Sequence, residues 1–154
     1  MAKVTVIGAG YVGLIQGVCL ADLGHDVTCV DLDSERIATL SAGTPTIYED
    51  GLEPLLQSGL ASGKLRFATP EGGWADLLGE VVFVAVGTPM ADNGGADLSY
   101  VRAVADVIAA EATAPLTLVM KSTVPPGTGS ALRERHLAKA QVRIGYVSNP
   151  EFLR

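Results

Sequence analysis

The chain has 154 residues, a formal net charge of −6 and 48% hydrophobic residues, which suits one globular domain with a full core. This acidic balance, without a basic stretch, argues against nucleic acid as a partner. The most apolar run, residues 81–86, is far shorter than the roughly 20 residues of a membrane-spanning helix. Because the N-terminus enters a strand at once without a signal segment, the sequence predicts a cytoplasmic protein with no membrane partner.

Residues 4–31 predict a strand, a tight turn, a helix and a second strand. The turn has the sequence GAGYVG at residues 8–13. In a G-x-G-x-x-G turn, Gly8 allows the sharp turn, Gly10 lets the backbone approach a pyrophosphate, and Gly13 packs the new helix against the strand. The N-terminus of that helix directs free N–H groups and a positive dipole end at the phosphates. The stretch therefore predicts a dinucleotide site.

Asp31 ends the second strand, 18 residues after Gly13. A carboxylate there accepts hydrogen bonds from an adenosine ribose and repels a 2′-phosphate, which favours NAD over NADP. Arg36 lies five residues further on, and its position equally suits a contact with the adenosine end of the dinucleotide and a solvated helix arginine. A purely structural interpretation is that the glycines only form a turn and that Asp31 is a solvated strand end. It is disfavoured because the strand, the helix and the acid all lie where the motif requires them.

The rest of the chain continues to alternate helices with strands. Helices are predicted at 35–40, with Ser34 before it as the N-cap, at 52–58, at 99–112 and through Leu132 to about residue 140. Strands are predicted at 64–69, 81–86, 116–120 and 142–147. This alternation predicts a parallel sheet with right-handed crossovers. Six strands favour a doubly wound α/β fold, a Rossmann fold with strand order 3-2-1-4-5-6, as one dinucleotide-binding domain over residues 1–154.

Four side chains could take part in chemistry but are better explained by a structural role. Cys19 and Cys29 fall at apolar positions, so we expect buried, reduced thiols rather than a disulfide or a metal pair. Trp74 is interpreted as a packing anchor. Lys121 could contact a phosphate, but we favour a plain strand-end lysine.

Polar segments follow three further strands. They are Gly87-Thr88-Pro89, Ser122-Thr123 and Asn149-Pro150-Glu151. Each segment alone is equally well explained as an ordinary loop sequence. However, the carboxyl ends of parallel strands share one edge of the sheet, where such folds bind ligands. The sequence therefore predicts that the backbone at 87–89 lies against the nicotinamide ribose, that the two hydroxyls of 122–123 hold a water or a substrate oxygen, and that Glu151 acts as a base.

The sequence resembles the NAD-binding N-terminal domain of the UDP-glucose/GDP-mannose dehydrogenase family. The resemblance covers essentially the whole chain and rests on residues 8–14, 47–52, 86–89, 121–128 and 149–154. The last two segments, KSTVPPGT and NPEFLR, are the most specific in this order and spacing.

The resemblance implies an NAD-dependent, two-step oxidation of the C6 alcohol of a nucleotide sugar to a carboxylate. UDP-glucose is the favoured substrate, with GDP-mannose and UDP-N-acetylhexosamine as alternatives. Carried over, the cofactor-binding residues are Gly8, Gly10, Tyr11, Val12, Gly13, Asp31, Arg36, Gly87, Thr88, Pro89, Ser122 and Thr123. Glu151 and Thr123 are the expected catalytic residues, and Glu151, Phe152, Leu153 and Arg154 are expected to begin the substrate-binding loop.

The family's nucleophilic cysteine belongs to a later domain, and this chain has no candidate for it. The helical linker and the sugar-nucleotide domain are absent too. We therefore expect a fragment that, on its own, binds NAD but does not oxidise a nucleotide sugar. We expect its parent protein to form a homodimer or a larger oligomer. A different NAD dehydrogenase, of the hydroxyacid or hydroxyacyl type, is disfavoured by the segments at 121–128 and 149–154. A stand-alone NAD-binding module that acts on a partner stays open.

Overall fold

The described part of the computed structural model, residues 1–92 and 94–151, contains one parallel sheet. Its six strands have the order β3-β2-β1-β4-β5-β6, so the predicted doubly wound Rossmann order is confirmed. The strands are β1 (Lys3–Ile7), β2 (Asp26–Val30), β3 (Leu65–Ala68), β4 (Val81–Val84), β5 (Leu116–Met120) and β6 (Ile144–Ser148).

Helices cover both faces of this sheet. They are α1 (Tyr11–Asp22), α2 (Ser34–Ser41), α3 (Leu52–Ala61), α4 (Ser99–Glu111) and α5 (Thr128–Arg135), with 3-10 turns at Pro70–Gly72, Ala75–Leu77 and Leu137–Lys139. Val6 and Ile7 are adjacent in β1 but belong to different hydrophobic clusters, because successive strand side chains point to opposite faces. The Val6 cluster includes residues of α1, α2 and α3, whereas the Ile7 cluster includes residues of α4 and α5.

Three local expectations need correction. The cap of α2 is Asp33 rather than Ser34, because the Asp33 carboxylate accepts a hydrogen bond from the Arg36 N–H at 3.0 Å. The last helix ends at Arg135 and continues only as a 3-10 turn. Cys29 is buried as expected, but Cys19 is exposed because it lies on the outer face of α1. Trp74 packs against the Ile7 cluster, which confirms its role as a packing anchor.

Candidate functional site

In the glycine turn between β1 and α1, two glycines have no room for a side chain and the third has free space around it. Gly8 has a φ of +99°, and a Cβ there would lie 2.7 Å from the carbonyl oxygen of Ala85. A Cβ on Gly13 would overlap the carbonyl oxygen of Gly8. Around Gly10, by contrast, a Cβ would meet no atom of the described residues within 4 Å, so the backbone there is accessible from outside. Among the described residues, no side chain caps the N-terminus of α1, which leaves that helix end available to an anion.

Asp31 is held beside this turn by three contacts. Its Oδ2 accepts hydrogen bonds from the Ala9 N–H at 2.7 Å and from Arg36 at 3.1 Å, and its Oδ1 accepts one from the Asp33 N–H at 3.0 Å. The Arg36 guanidinium also pairs with the Asp33 carboxylate at 3.4 Å. The structure thus places Arg36 against Asp31 rather than free in solvent, and these contacts fix the orientation of the carboxylate.

A cleft of about 540 Å³, here called the Asp31 cleft, opens at the carboxyl ends of β1, β2 and β4. Of the predicted site residues, Gly8, Gly10, Asp31, Arg36 and Gly87 line it. Its apolar wall was not foreseen as part of the site and is formed by Leu32, Trp74, Tyr100, Ala103, Val104 and Val107. The last four are spaced i, i+3, i+4 and i+7 along α4, so the pattern of one helix face was a signal that could have found them.

A second cleft of about 340 Å³, the Glu151 cleft, lies beside the first. It is lined by Tyr11, Val12, Thr88, Lys121, Ser122, Thr123 and Glu151. Gly10, Ala85, Val86 and Gly87 line both clefts, so the two form one continuous trough across the glycine turn. Pro89 lines neither cleft, and its carbonyl accepts a hydrogen bond from the Asp97 N–H at 2.8 Å.

Hydroxyl groups tie together the loops that follow β4, β5 and β6. Thr88 donates a hydrogen bond to the Thr123 carbonyl at 3.2 Å, and Thr123 donates one to the Glu151 carbonyl at 3.0 Å. Ser122 is buried and donates to the Val86 carbonyl at 2.7 Å. The three predicted polar segments therefore do come together. Their hydroxyls bond to backbone in this structure, and a role in holding water or substrate stays a prediction.

Lys121 is not the plain strand-end lysine that we favoured. Its side chain is only 10% exposed, and its ammonium lies 2.5 Å from Oε2 of Glu151. A buried ammonium requires a counter-charge, and Glu151 supplies it.

A third cleft of about 320 Å³, the α1 cleft, runs along the outer face of α1 and shares Tyr11, Val12 and Glu151 with the Glu151 cleft. Here the Tyr11 hydroxyl donates to the Glu49 carboxylate at 2.7 Å, and this hydrogen bond, together with the nearby negative charge, raises the pKa of Tyr11 above its usual value. Glu49 was not predicted as a site residue, although it lies in a segment that carries the family resemblance.

The described residues fit a dinucleotide. The trough is long, its middle is the open backbone at Gly10, and an uncapped helix N-terminus and a fixed carboxylate lie on either side. Phe152, Leu153 and Arg154 lie outside the described residues. Within the described ranges, every helix is too short or too polar to cross a membrane.

Comparison with known proteins gives relatives over the whole chain. The chain is 52% identical to UDP-glucose 6-dehydrogenase of Rhizobium meliloti and 46% identical to that of Pseudomonas aeruginosa. Each match covers 99% of this chain but 35% and 34% of the relative, so the chain spans about a third of the length of these proteins.

Solved structures agree with this similarity. A UDP-glucose dehydrogenase from Pyrobaculum islandicum matches with a TM-score of 0.86 and 45% identity over 100% of this chain and 37% of that one. A ternary complex of GDP-mannose dehydrogenase from Pseudomonas aeruginosa matches with a TM-score of 0.84 and 36% identity over 98% of this chain and 36% of that one. The model of the UDP-glucose/GDP-mannose dehydrogenase family, NAD binding domain, matches residues 2–154. The chain therefore belongs to the UDP-glucose/GDP-mannose dehydrogenase family, of which it is the NAD-binding domain.

Proposed function

We propose that this chain is the cofactor-binding part of an NAD-dependent nucleotide-sugar 6-dehydrogenase. The parent enzyme oxidises the C6 alcohol of the sugar to a carboxylate in two steps, and UDP-glucose is its substrate. The observation that carries the proposal is the continuous trough from Asp31 to Glu151, which joins a dinucleotide site to a carboxylate. The choice of UDP-glucose is supported by relatives of that name at 52% and 46% identity, against 36% for a GDP-mannose dehydrogenase.

Each part of the trough suits one part of NAD. Gly10 and the first-turn amides of Tyr11 and Val12 would hold the pyrophosphate, while Asp31 and Arg36 would hold the adenosine ribose. The nicotinamide side would lie against the loops that carry Gly87, Thr88, Pro89, Ser122 and Thr123. When bound, NAD supplies the acceptor for the hydride that leaves the sugar carbon.

Glu151 is the proposed acid–base residue of this half of the enzyme. It is 31% exposed at the side chain and lines both the Glu151 cleft and the α1 cleft, so water and substrate can reach it. In this position its carboxylate can orient a water molecule or accept its proton. Thr123 assists by fixing the Glu151 backbone through its hydroxyl, and Phe152, Leu153 and Arg154 are proposed to begin the substrate-binding loop.

The remaining parts of the proposal concern the parent protein. It works in the cytoplasm, where NAD and nucleotide sugars are found, and it assembles at least as a homodimer. Neither Cys19 nor Cys29 forms a disulfide, which suits a reducing compartment.

Two measurements test the proposal. Calorimetry on this chain should show NAD binding, and spectrophotometry with UDP-glucose should show no NADH formation. The full-length protein should form two NADH per UDP-glucose and act more slowly on GDP-mannose and on UDP-N-acetylhexosamine. If the full-length protein binds NAD but oxidises none of these sugars, the enzyme proposal fails and a binding module that acts on a partner takes its place.

A further inference from the structure

Among the described residues, Lys121 is the more buried of the two cations that form ion pairs at the site, because its side chain is 10% exposed against 36% for Arg36. The Lys121 side chain is 10% exposed and the Glu151 side chain 31%, whereas both partners of the Lys139–Asp106 pair are about half exposed or more. Among the described residues, Glu151 is the only acid within 4.0 Å of the Lys121 ammonium. Since desolvated charges interact far more strongly than solvated ones, this pair constrains both side chains.

The lysine itself is anchored on a rigid element. It directly follows β5, and its backbone N–H donates a hydrogen bond to the Val84 carbonyl at the end of β4, at 2.9 Å. Residues on strand ends hold a functional group more accurately than residues within long loops. The lysine thus provides a fixed positive charge in the lining of the Glu151 cleft.

Glu151 makes three contacts with Lys121 and Thr123 in the segment that follows β5. Its N–H donates to the Lys121 carbonyl at 3.3 Å, its carbonyl accepts from the Thr123 hydroxyl at 3.0 Å, and Oε2 of its side chain pairs with the Lys121 ammonium. Within the described residues, Oε1 of Glu151 has no hydrogen-bond partner, which leaves it available to water or substrate.

We propose that Lys121 is a positioning residue, which holds Oε2 of Glu151 so that Oε1 is free at the junction of the Glu151 cleft and the α1 cleft. This inference rests on the proposed function. Lys121 is not required to touch substrate or cofactor, and its effect on the reaction passes through Glu151. A purely structural lysine would affect folding and NAD binding instead.

The test is a double-mutant cycle in the full-length protein, with UDP-glucose and NAD as substrates. Lys121→Met should lower kcat about tenfold or more and change the KM for NAD less than about twofold, because general acid–base groups contribute on the order of a hundredfold or more when correctly placed. Glu151→Gln should lower kcat at least as much. The double variant should lose no more than Glu151→Gln alone, because a residue that acts only through Glu151 has nothing left to position.

Two further variants make the result specific. Lys121→Arg keeps the positive charge and should retain more of kcat than Lys121→Met. If the methionine variant does not fold, Lys121→Gln, which also removes the charge, takes its place in the cycle and in this comparison. Lys139→Met removes the lysine of the exposed Asp106 pair and should leave kcat unchanged.

Three outcomes would overturn the inference. They are an unchanged kcat in Lys121→Met, independent losses that multiply in the double variant, and a loss explained wholly by weaker NAD binding. A wild-type protein that oxidises no nucleotide sugar would overturn the proposed function itself. The three outcomes above are instead measured against an active wild type, so the two failures are distinguishable.

Discussion

The Ala9 backbone N–H donates a hydrogen bond of 2.7 Å to Oδ2 of Asp31, which joins the glycine turn after β1 to the end of β2. The same oxygen accepts a hydrogen bond from Arg36 at 3.1 Å. The acid that would select the cofactor is therefore also part of the scaffold of the turn. Any substitution at this position has to be interpreted with both roles in mind.

Asp31→Asn keeps the hydrogen bond to the turn, because its amide oxygen can still accept the Ala9 N–H. It removes the negative charge and the hydrogen bond from the Asp33 N–H. We expect NAD binding to weaken by about ten- to a hundredfold, because a hydrogen bond to a charged group contributes roughly 1.5–3 kcal/mol. NADP should bind more tightly than to the wild type, because the repulsion of the 2′-phosphate disappears and Arg36 is released from one of its two acidic partners. Calorimetric titration with both cofactors measures the change in selectivity.

The matched control is Asp26→Asn, at the opposite end of β2, where the carboxylate pairs with Arg66 at 3.0 Å outside the trough. It should leave both affinities unchanged. An Asp31→Asn variant that kept the wild-type preference for NAD would show that Asp31 does not select the cofactor.

Gly10 and Gly13 should respond to alanine in opposite ways. Gly10 has an ordinary φ of −75° and free space around its Cβ position, so Gly10→Ala should fold with a nearly unchanged Tm. Its methyl group would occupy the surface where the pyrophosphate is proposed to bind, and NAD affinity should fall at least about tenfold, as is expected when a close backbone approach is blocked. A Cβ on Gly13 overlaps the Gly8 carbonyl oxygen, so Gly13→Ala should lower the Tm strongly or prevent folding.

Thermal unfolding combined with NAD titration distinguishes the two glycines. Gly24→Ala is unsuitable as a control because its φ of +91° would strain an alanine, whereas Gly72 has open space at its Cβ position and does not line the trough. A Gly10→Ala variant that binds NAD as well as the wild type does would place the pyrophosphate elsewhere.

The fold could be predicted almost entirely from the sequence, because its signals are local. Short β-branched runs, glycine stops and one-sided helices recur along the chain, and they are sufficient to specify an alternating parallel sheet. The errors lie at element ends and on helix faces. Asp33 and Ser34 are both good N-cap residues. The backbone conformation decides between them, because Asp33 is extended and the helix begins at Ser34. The apolar neighbours of Cys19 gave no hint that α1 has an uncovered face.

The sequence predicted that the polar segments come together, but it did not predict their side-chain contacts. Convergence of the segments after β4, β5 and β6 follows from parallel topology alone. The Lys121–Glu151 pair joins side chains 30 positions apart in sequence, and its burial depends on how two loops pack, so no spacing pattern announces it. The same is true of the hydrogen bond between Tyr11 and Glu49.

Thr5 is a buried polar residue whose removal should destabilise the sheet. Its hydroxyl donates to the Leu77 carbonyl and accepts from the Gly79 N–H at 2.8 Å, which links β1 to the loop before β4. Thr5→Val keeps the shape but leaves both backbone groups without this partner, so we expect the free energy of unfolding to fall by about 1–3 kcal/mol. Urea denaturation measures this change.

Thr28→Val in β2 is the matched control. Thr28 is only partly buried, and its hydroxyl meets the exposed Arg66 guanidinium at a long 3.4 Å. Its substitution should change the free energy of unfolding by less than about 0.5 kcal/mol, as is usual for surface positions. Equal losses in the two variants would mean that the buried hydrogen bonds of Thr5 contribute nothing beyond its side-chain shape.

The two cysteines should differ in reactivity, which provides a measure of how tightly α1 packs on β2. Burial raises the pKa of Cys29 to about 12, and its sulfur packs against Gly17 of α1. At pH 8 the Cys29 thiol is therefore almost entirely protonated and also shielded, whereas Cys19 is exposed. We expect a thiol reagent to modify one cysteine in the native protein at pH 8 and both in denaturant, and Cys19→Ser should abolish the native reaction. Modification of Cys29 in that variant, at a rate similar to that of Cys19 in the wild type, would show that α1 separates from the sheet in the native state.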